Sequence, residues 1–372
     1  MLRRAEQGRS DACDVVVVGA GLVGAAVAAR LSREGLDTSI LEAGRVSGGA
    51  TGRSLGVVSL GLTGLYGWAV SVYGRQRARE IWALTAGGRA RLVATARRLG
   101  IAVRRSASYA LAEGDEEVEA LRESANLLRE DGFEVSFIPS DPLDRGFEAA
   151  LHSPDDVIVD ARALTRALLE AEGIRVHERT EVHALEPIEG GIRVWAHGRT
   201  VICSAVVLAV NGYAALAAPY LADKVAPVPY LLLTTRPLDI ALPGITFVGG
   251  GRAMLRPLPD GRVLLATRQP WTFGTDDESP PDQLLDLLSR RFPEADVRHA
   301  ICRSEVVGAT PDGLPLVGRL PSPRQAYFAV GLGGRGLSWA FVVAERLVGA
   351  MLRSGALGLL GVDRLTQRHS SP

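Results

Sequence analysis

Residues 15–18 form a run of four valines with no polar position, the pattern of a strand buried on both faces of a parallel sheet. A glycine turn follows, and residues 25–33 are small and apolar, as suits a helix packed closely on that sheet. Gly35 ends the helix and residues 38–41 predict a second strand, so the N-terminal region predicts a βαβ unit. A glycine-rich stretch runs from 44 to 67. Helical periodicity then appears over 76–99, a strand over 101–112, a helix with an acidic start over 115–130, and a strand over 133–138. Asp160 reads as the N-cap of a helix over 161–171. Strands are predicted over 174–177, 182–186, 192–196 and 200–203, with another buried, parallel-type strand over 205–210. Pro219, Pro227 and Pro229 mark a crossing into a second region. There, residues 254–258 and 262–268 flank Pro259-Asp260-Gly261, which has the chemistry of a hairpin turn. A helix over 284–291 comes next. The last third predicts an irregular segment over 310–315, a strand over 326–330, a glycine loop, and a long helix from about 338 to 353.

Composition narrows the function classes. The chain has 372 residues, 47% hydrophobic and 23% charged, enough for two compact units sharing a core. Basic and acidic residues number 42 each, with no block of like charge, which argues against nucleic acid as the main partner. Lysine occurs only at Lys224, so a mechanism that needs a catalytic lysine has a single candidate. Cys13, Cys203 and Cys302 lack metal spacing, so no metal site or disulfide framework is expected, and a reducing, cytoplasmic setting is the default. Residues 15–29 superficially resemble a signal peptide, but Gly19, Gly21 and Gly24 belong to another pattern. Residues 337–352 are interrupted by Glu345 and Arg346, so no membrane span is expected. Oligomeric state is not legible.

That other pattern is Gly19-Ala20-Gly21-Leu22-Val23-Gly24, a G-x-G-x-x-G turn between a strand and a helix. The first glycine allows the tight turn, the second lets a pyrophosphate approach the backbone, and the third lets helix and strand pack. Glu42, followed by Ala43, closes the second strand where an acid accepts the ribose hydroxyls of an adenosine. With no basic residue inviting a 2′-phosphate, NADP is disfavoured. A second flexible loop, Gly48-Gly49-Ala50-Thr51-Gly52-Arg53-Ser54-Leu55-Gly56, comes soon afterwards and can wrap a long dinucleotide and approach a flavin ring.

Here the chain resembles the D-amino-acid oxidase family of flavoproteins, which includes glycine and sarcosine oxidases. The family's G-A-S/T-G-R-N/S-x-G segment matches Gly49, Ala50, Thr51, Gly52, Arg53, Ser54 and Gly56, with Leu55 and Val57 beside them. Thr180 to Val182 resembles the strand whose valine packs at the adenine. The run Ala205-Val206-Val207-Leu208-Ala209, followed by Asn211-Gly212, resembles the family's later strand and turn. Thr310-Pro311-Asp312-Gly313-Leu314-Pro315 matches a T-P-D-G-L-P segment, with Gly308 just before it. The loop Gly331-Leu332-Gly333-Gly334-Arg335-Gly336-Leu337 opens the last helix and presents bare N–H groups and a positive dipole end. In the family that end lies by the flavin N1–C2=O edge, where it stabilises charge building on the ring.

The resemblance implies an α/β protein binding FAD non-covalently. A Rossmann-like FAD-binding domain (12–75, 150–215 and 300–360) would be interleaved with an antiparallel-sheet substrate domain (76–149 and 216–299), with flexible ends at 1–11 and 361–372. It implies oxidation of the C–N bond of a small amine or amino acid by hydride transfer to flavin N5. The imine product hydrolyses in water, and O2 is the expected acceptor. The alternatives are a dehydrogenase, as one subunit of a complex, passing electrons to another acceptor, and a protein whose FAD is structural. No acid–base dyad is evident: His152, His177, His183 and His197 read as surface or strand residues. Arg335 is the sharpest candidate for holding a substrate carboxylate, its alternative roles being to grip FAD or to form a structural ion pair. Arg256 and Arg268 compete for the same task. Counted from the hairpin turn, Arg256 falls opposite Leu265, and Arg268 shares the other face with Leu264 and Leu255. Only one arginine can then serve, and the Arg268 face is the expected one. Tyr230 is a candidate pocket wall. The lysine that sarcosine-oxidase-type enzymes place above the flavin falls near Leu264, away from Lys224.

Overall fold

The computed structural model describes residues 12–268, 282–295 and 301–367. Its first sheet is organised on Ala12–Val18, six of whose seven residues are buried, as the unbroken valine run dictates. This strand runs parallel to Thr38–Leu41 on one side and to Arg199–Leu208 on the other. Arg175–His177 extends the sheet beyond Thr38–Leu41. On the other side, Arg199–Leu208 pairs with Gly191–Ala196 at its start and with Ala326–Val330 at its end. The two strands expected at 200–203 and 205–210 are thus one. The helices Leu22–Arg33, Arg75–Arg98 and Gly336–Arg353 bury their apolar faces in a common core with the valine strand. The last two approach so closely that a Cβ on Gly88 would lie 1.9 Å from the carbonyl oxygen of Ser338.

The second sheet has eight strands. Their order is Ile301–Ala309, Ala226–Thr234, Val263–Arg268, Ala253–Pro257, Ile245–Val248, Ser108–Ala112, Ala149–Ser153 and Ser136–Ile138. All neighbours are antiparallel except Ile245–Val248 with Ser108–Ala112. Pro227 and Pro229 sit where Ala226–Thr234 pairs on one side only, so neither interrupts a doubly paired stretch. One face, including Leu231, Leu233, Leu255 and Leu265, is covered by Leu287, Leu288 and Phe292 at the helix Asp282–Arg291. The other face looks toward the first sheet. A small third sheet joins Val57–Val58, Val157–Val159 and Val103–Arg105.

The single strand expected over 101–112 is therefore two strands in different sheets. The break falls at Ser106, whose N–H donates to Asp156 O, and Ala107, whose carbonyl accepts from Ile245. Ile301–Ala309, grouped from sequence with the first domain, is an edge strand of the second sheet. Other elements lie where the pattern puts them: Thr38–Leu41, Asp115–Glu130, and Ala161–Ala171 with Asp160 accepting from Ala163 N–H at 2.9 Å. Among the described residues, no helix is long and apolar enough to cross a membrane. Residues 1–11 and 368–372 lie outside the described residues.

The expected loose end from 361 departs from what is found. Asp363–Gln367 is helical, and Arg364 grips Asp312 of the T-P-D-G segment with two hydrogen bonds, 2.8 and 3.0 Å. Thr310 Oγ donates to Leu314 O and also contacts Asp312, so the segment is a clasp rather than a free loop. Burial pushes the Asp312 carboxyl up, but Arg364 outweighs it and holds the group below its usual value of 3.8. Arg364→Ala is expected to destabilise the protein by about 3 kcal/mol near neutral pH, since it strands a buried charge. In the parent this stabilisation is complete above the unfolded-state pKa and is lost as pH falls through the lower folded-state value. The difference between variant and parent should therefore shrink once pH falls below 3.8 and through the lower folded-state value, as read from urea midpoints at pH 7 and at about pH 2.5.

Candidate cofactor and substrate site

The glycine turn lies at the C-terminal edge of the first sheet. Gly19 takes φ +104, and a Cβ on it would sit 2.7 Å from Ala209 O. A Cβ on Gly24 would fall 1.9 Å from Gly19 O, so the helix lies directly on the turn. Gly21 differs: a Cβ there would meet only Thr51 Oγ1, at 3.1 Å, leaving the space before it open. That hydroxyl accepts Leu22 N–H at 3.0 Å and fastens the second glycine segment, with its short helix Ala50–Arg53, to the first. Leu22, which is buried, and Val23 open the helix Leu22–Arg33. Glu42 accepts Ala20 N–H and Gly44 N–H, each at 2.7 Å, with lone pairs left for further donors. Ala43 follows it, and Val182 begins the strand Val182–Ile188.

Asn211, at φ +44, ties this region to the last glycine loop, its Oδ1 accepting Leu332 N–H at 3.0 Å. Gly212 and Gly308 pack against each other's segments: a Cβ on Gly308 would lie 2.9 Å from Asn211 C, and one on Gly212 3.1 Å from Gly308 N. Their glycine requirement is thereby explained by chain crossing. In the last loop, Gly333 has nothing within 4 Å of where a Cβ would be. A Cβ on Gly334 would lie 2.8 Å from the Tyr230 hydroxyl. The helix Gly336–Arg353, with Leu337 buried in its first turn, has no side-chain cap.

The hairpin register corrects the sequence reading. Arg256 lies opposite Leu264, and Leu255 opposite Leu265. Leu258 N–H bonds to Arg262 O, so Pro259, Asp260 and Gly261 close a three-residue turn, with Gly261 at φ +80. One residue of slip reverses the faces. Arg256, Leu264, Arg268 and Tyr230 therefore share the face turned toward the first sheet, and Leu255 looks the other way. The expectation that the two arginines lie on opposite faces does not hold. Arg256 donates to Leu55 O, while its Nε is buried without a partner. Burial, then the neighbouring Arg104, lowers its pKa. Arg268 is exposed at its strand end, opposite Tyr230. Lys224 is held by Tyr220 O at 3.0 Å and by Asp223 at 2.7 Å.

Arg335 is half-buried. It donates to Ser59 Oγ, and its guanidinium lies 4.9 Å from the centre of the Phe247 ring. Burial lowers its pKa, opposed by the attraction of Asp156. No ion pair engages it among the described residues. Asp156 is 2% exposed, accepts Ser108 Oγ at 2.7 Å and pairs with Arg89 at 3.3 Å. Burial nevertheless pushes its carboxyl above the usual range. These groups border a cavity of about 400 Å³ between the second sheet and the helices. A second cavity, of about 540 Å³, lies behind Thr51, Ser54 and Gly56, beside Arg256.

Sequence reasoning missed Glu305. It lies directly opposite Tyr230 on the neighbouring strand and is 5% exposed. Arg53 approaches to 2.9 Å as an ion pair, yet neither carboxylate oxygen receives a directed hydrogen bond. Burial raises its pKa, against the pull of Arg53. A Cβ on Gly49 would be 3.7 Å from it, so it faces the second glycine segment. The available signal was an acid directly before the apolar pair Val306-Val307, five residues before Thr310. The buried Ser47 hydroxyl, next to the glycine turn, also has no partner. Cys13 and Cys203 are buried thiols, and burial pushes Cys13 up to about 11. No cluster of potential metal ligands occurs among the described residues.

An α/β protein with a glycine turn at the C-terminal edge of a parallel sheet, an acid on the next strand and a second sheet facing it is a dinucleotide-binding enzyme in architecture. Residues 14–350 match the family described as FAD dependent oxidoreductase, and the chain belongs to it. FAD is accordingly its cofactor. The open ground before Gly21 and Gly333, and the buried oxygens of Glu305 and Ser47 that lack a directed hydrogen bond, fit such a group. The fold is similar to that of glycine oxidase from Geobacillus kaustophilus, with TM-score 0.79, 24% identity, and 94% and 96% of the two chains covered. It is also similar to L-proline dehydrogenase from P. horikoshii, with TM-score 0.77, 20% identity, and 96% and 99% covered. An opine oxidase subunit of Rhizobium meliloti is 25% identical over 214 residues, which are 53% of this chain and 56% of that protein, so the match spans little more than half of either.

Because Glu42 organises the turn through two short hydrogen bonds, Glu42→Gln should weaken FAD binding. An amide can accept only through its oxygen and turns an N–H₂ toward the remaining donor. The dissociation constant, followed by the fluorescence of released FAD, is expected to rise about tenfold, or ~1.4 kcal/mol.

Proposed function

We propose that the protein oxidises the carbon–nitrogen bond of an amine or amino acid. FAD, when bound, accepts two electrons and one hydrogen as hydride from the carbon beside the nitrogen. The nitrogen gives up a proton to solvent, and the resulting imine takes up water and releases an amine and a carbonyl compound. The observation that carries this reading is Arg335, a guanidinium that no ion pair engages among the described residues, at the uncapped start of the helix Gly336–Arg353 and next to the face that carries Tyr230.

The residues divide the work as follows. Gly19, Ala20, Gly21 and the first turn of Leu22–Arg33 receive the pyrophosphate, and Glu42 the ribose. Thr51, Arg53, Ser54 and Glu305 border the middle of the cofactor. The bare N–H groups of Gly333, Gly334, Gly336 and Leu337 stabilise negative charge that develops at its reactive end. Arg335 holds a substrate carboxylate bidentately, and Tyr230 walls the pocket. FAD is held non-covalently.

One observation favours an acceptor other than O2. The chain's only lysine, Lys224, is committed to Tyr220 and Asp223, and by the family resemblance the lysine of sarcosine-oxidase-type enzymes would fall near Leu264. The resemblance to a protein named as part of an oxidase assembly is in keeping with electrons passing to a partner. The deciding experiment mixes the yellow protein anaerobically with amino acids, N-methyl amino acids and polyamines. Bleaching of the visible flavin band by one class supports the reading, and no bleaching by any of them overturns it. On admitting air, fast recolouring with H₂O₂ marks an oxidase, whereas dye reduction without H₂O₂ marks a dehydrogenase. With a carboxylate-bearing substrate, Arg335→Met should raise KM about 100-fold, or roughly 3 kcal/mol.

A further inference from the structure

Interiors are close-packed, and voids larger than a water molecule are few. The cavity of about 400 Å³ beside Arg335 is therefore a built feature. It reaches from Arg335, Ser59 and Phe247 along the sheet face at Ala110 and Leu151 and under the helix Asp115–Glu130. Its apolar wall includes Leu65, Tyr66, Trp82, Leu121, Leu128 and Phe133. That wall is held rigidly. Tyr66 donates to Asp131 at 2.5 Å, meets Trp82 edge-on at 4.8 Å between ring centres, and meets Phe133 at 6.2 Å.

A head group on Arg335 places one substituent of the substrate at the entrance to this space. Glycine or N-methylglycine would leave it almost empty. Among the described residues that line it, Arg89 is already paired with Asp156, so a second carboxylate would find no free cation, and Glu117, Glu134 and Asp155 line the wall as well. Desolvating a carboxylate beside these acids is costly.

We propose that the cavity is a specificity pocket for a long aliphatic substituent, and that the substrate is an amino acid carrying such a chain with no second acid at its far end. This rests on the amine-oxidation reading given above. Two measurements separate the failure of one from the failure of the other. The first is binding, which needs no turnover. N-pentylglycine is titrated into the FAD-loaded enzyme while tryptophan emission is followed, with Trp82→Phe as the control. A saturable change that is lost in the control is expected, and its absence overturns the pocket whether or not any amine is oxidised. The second is selectivity among N-pentylglycine, N-methylglycine and N-(4-carboxybutyl)glycine. The pentyl compound should exceed each of the others at least tenfold in kcat/KM. Equal use of either of them overturns the proposal. Ala120→Phe and, independently, Ala86→Phe fill the cavity from two different helices. Each should lower the pentyl-to-methyl ratio at least tenfold, and an unchanged ratio in a folded, FAD-loaded variant counts against the pocket.

Discussion

The N–H groups of Ala20 and Gly44 both end on the Glu42 carboxylate, and the rest of the site is arranged around the turn that this clamp holds. Ala12–Val18 is buried on both faces, so it offers no side chain for chemistry along its length, and function is displaced to its C-terminal end. There the chain must reverse into a helix within a few residues. Within the reversal, Gly19 N–H goes to Leu41 O, Ala20 N–H to Glu42 and Leu22 N–H to Thr51, while a Cβ on Gly21 would meet only the Thr51 hydroxyl. An acid at the end of the adjacent parallel strand is the group best placed to orient that backbone. Thr51 completes the arrangement by accepting from Leu22, so the second glycine segment is tied to the first by a single hydroxyl.

The same construction occurs a second time. Leu22–Arg33 and Gly336–Arg353 both follow glycine loops, both follow parallel strands of one sheet, and neither is capped by the side chain of its own N-cap residue, although Thr51 takes the Leu22 N–H of the first. An uncapped N-terminus leaves several donors unsatisfied and carries a partial positive charge. Asn211 holds the two ends in register, because it follows the long strand Arg199–Leu208 while its amide oxygen accepts from Leu332. An extended anionic cofactor placed between the two ends is met by preset dipoles at its phosphates and at its redox-active end.

Local pattern carried much of this. The valine strand, Thr38–Leu41, the helix Asp115–Glu130 and the Asp160 cap follow from periodicity and capping within a few residues. What failed depended on distant partners. Residues 101–112 read as one strand because nothing local shows that Ser106 and Ala107 cross between sheets. The hairpin register turned on whether the turn has an odd or even number of residues, which Pro259-Asp260-Gly261 alone leaves open, and that parity decided where Arg256 faces. Glu305 was invisible for a related reason: its meaning comes from Tyr230 and Arg53, both far away in sequence. The cavity beside Arg335 could not be read at all, since it is space left between a sheet and three helices.

The electrostatics of the facing sheet follow from how its arginines are engaged. Arg256 donates to a neutral carbonyl, Arg335 rests on an aromatic face and a hydroxyl, and Arg268 stands exposed at a strand end. None of these contacts removes the positive charge. Burial works against the charged forms of Asp156 and Glu305, while Arg335 and Arg89 favour the first and Arg53 the second. Attraction between such groups is less screened where water is scarce. A carboxylate entering beside Arg335 has no ion pair to displace among the described residues, since the group that attracts Arg335 most, Asp156, is already held by Arg89 and Ser108. Engaging Asp156 elsewhere is thus what leaves Arg335 available.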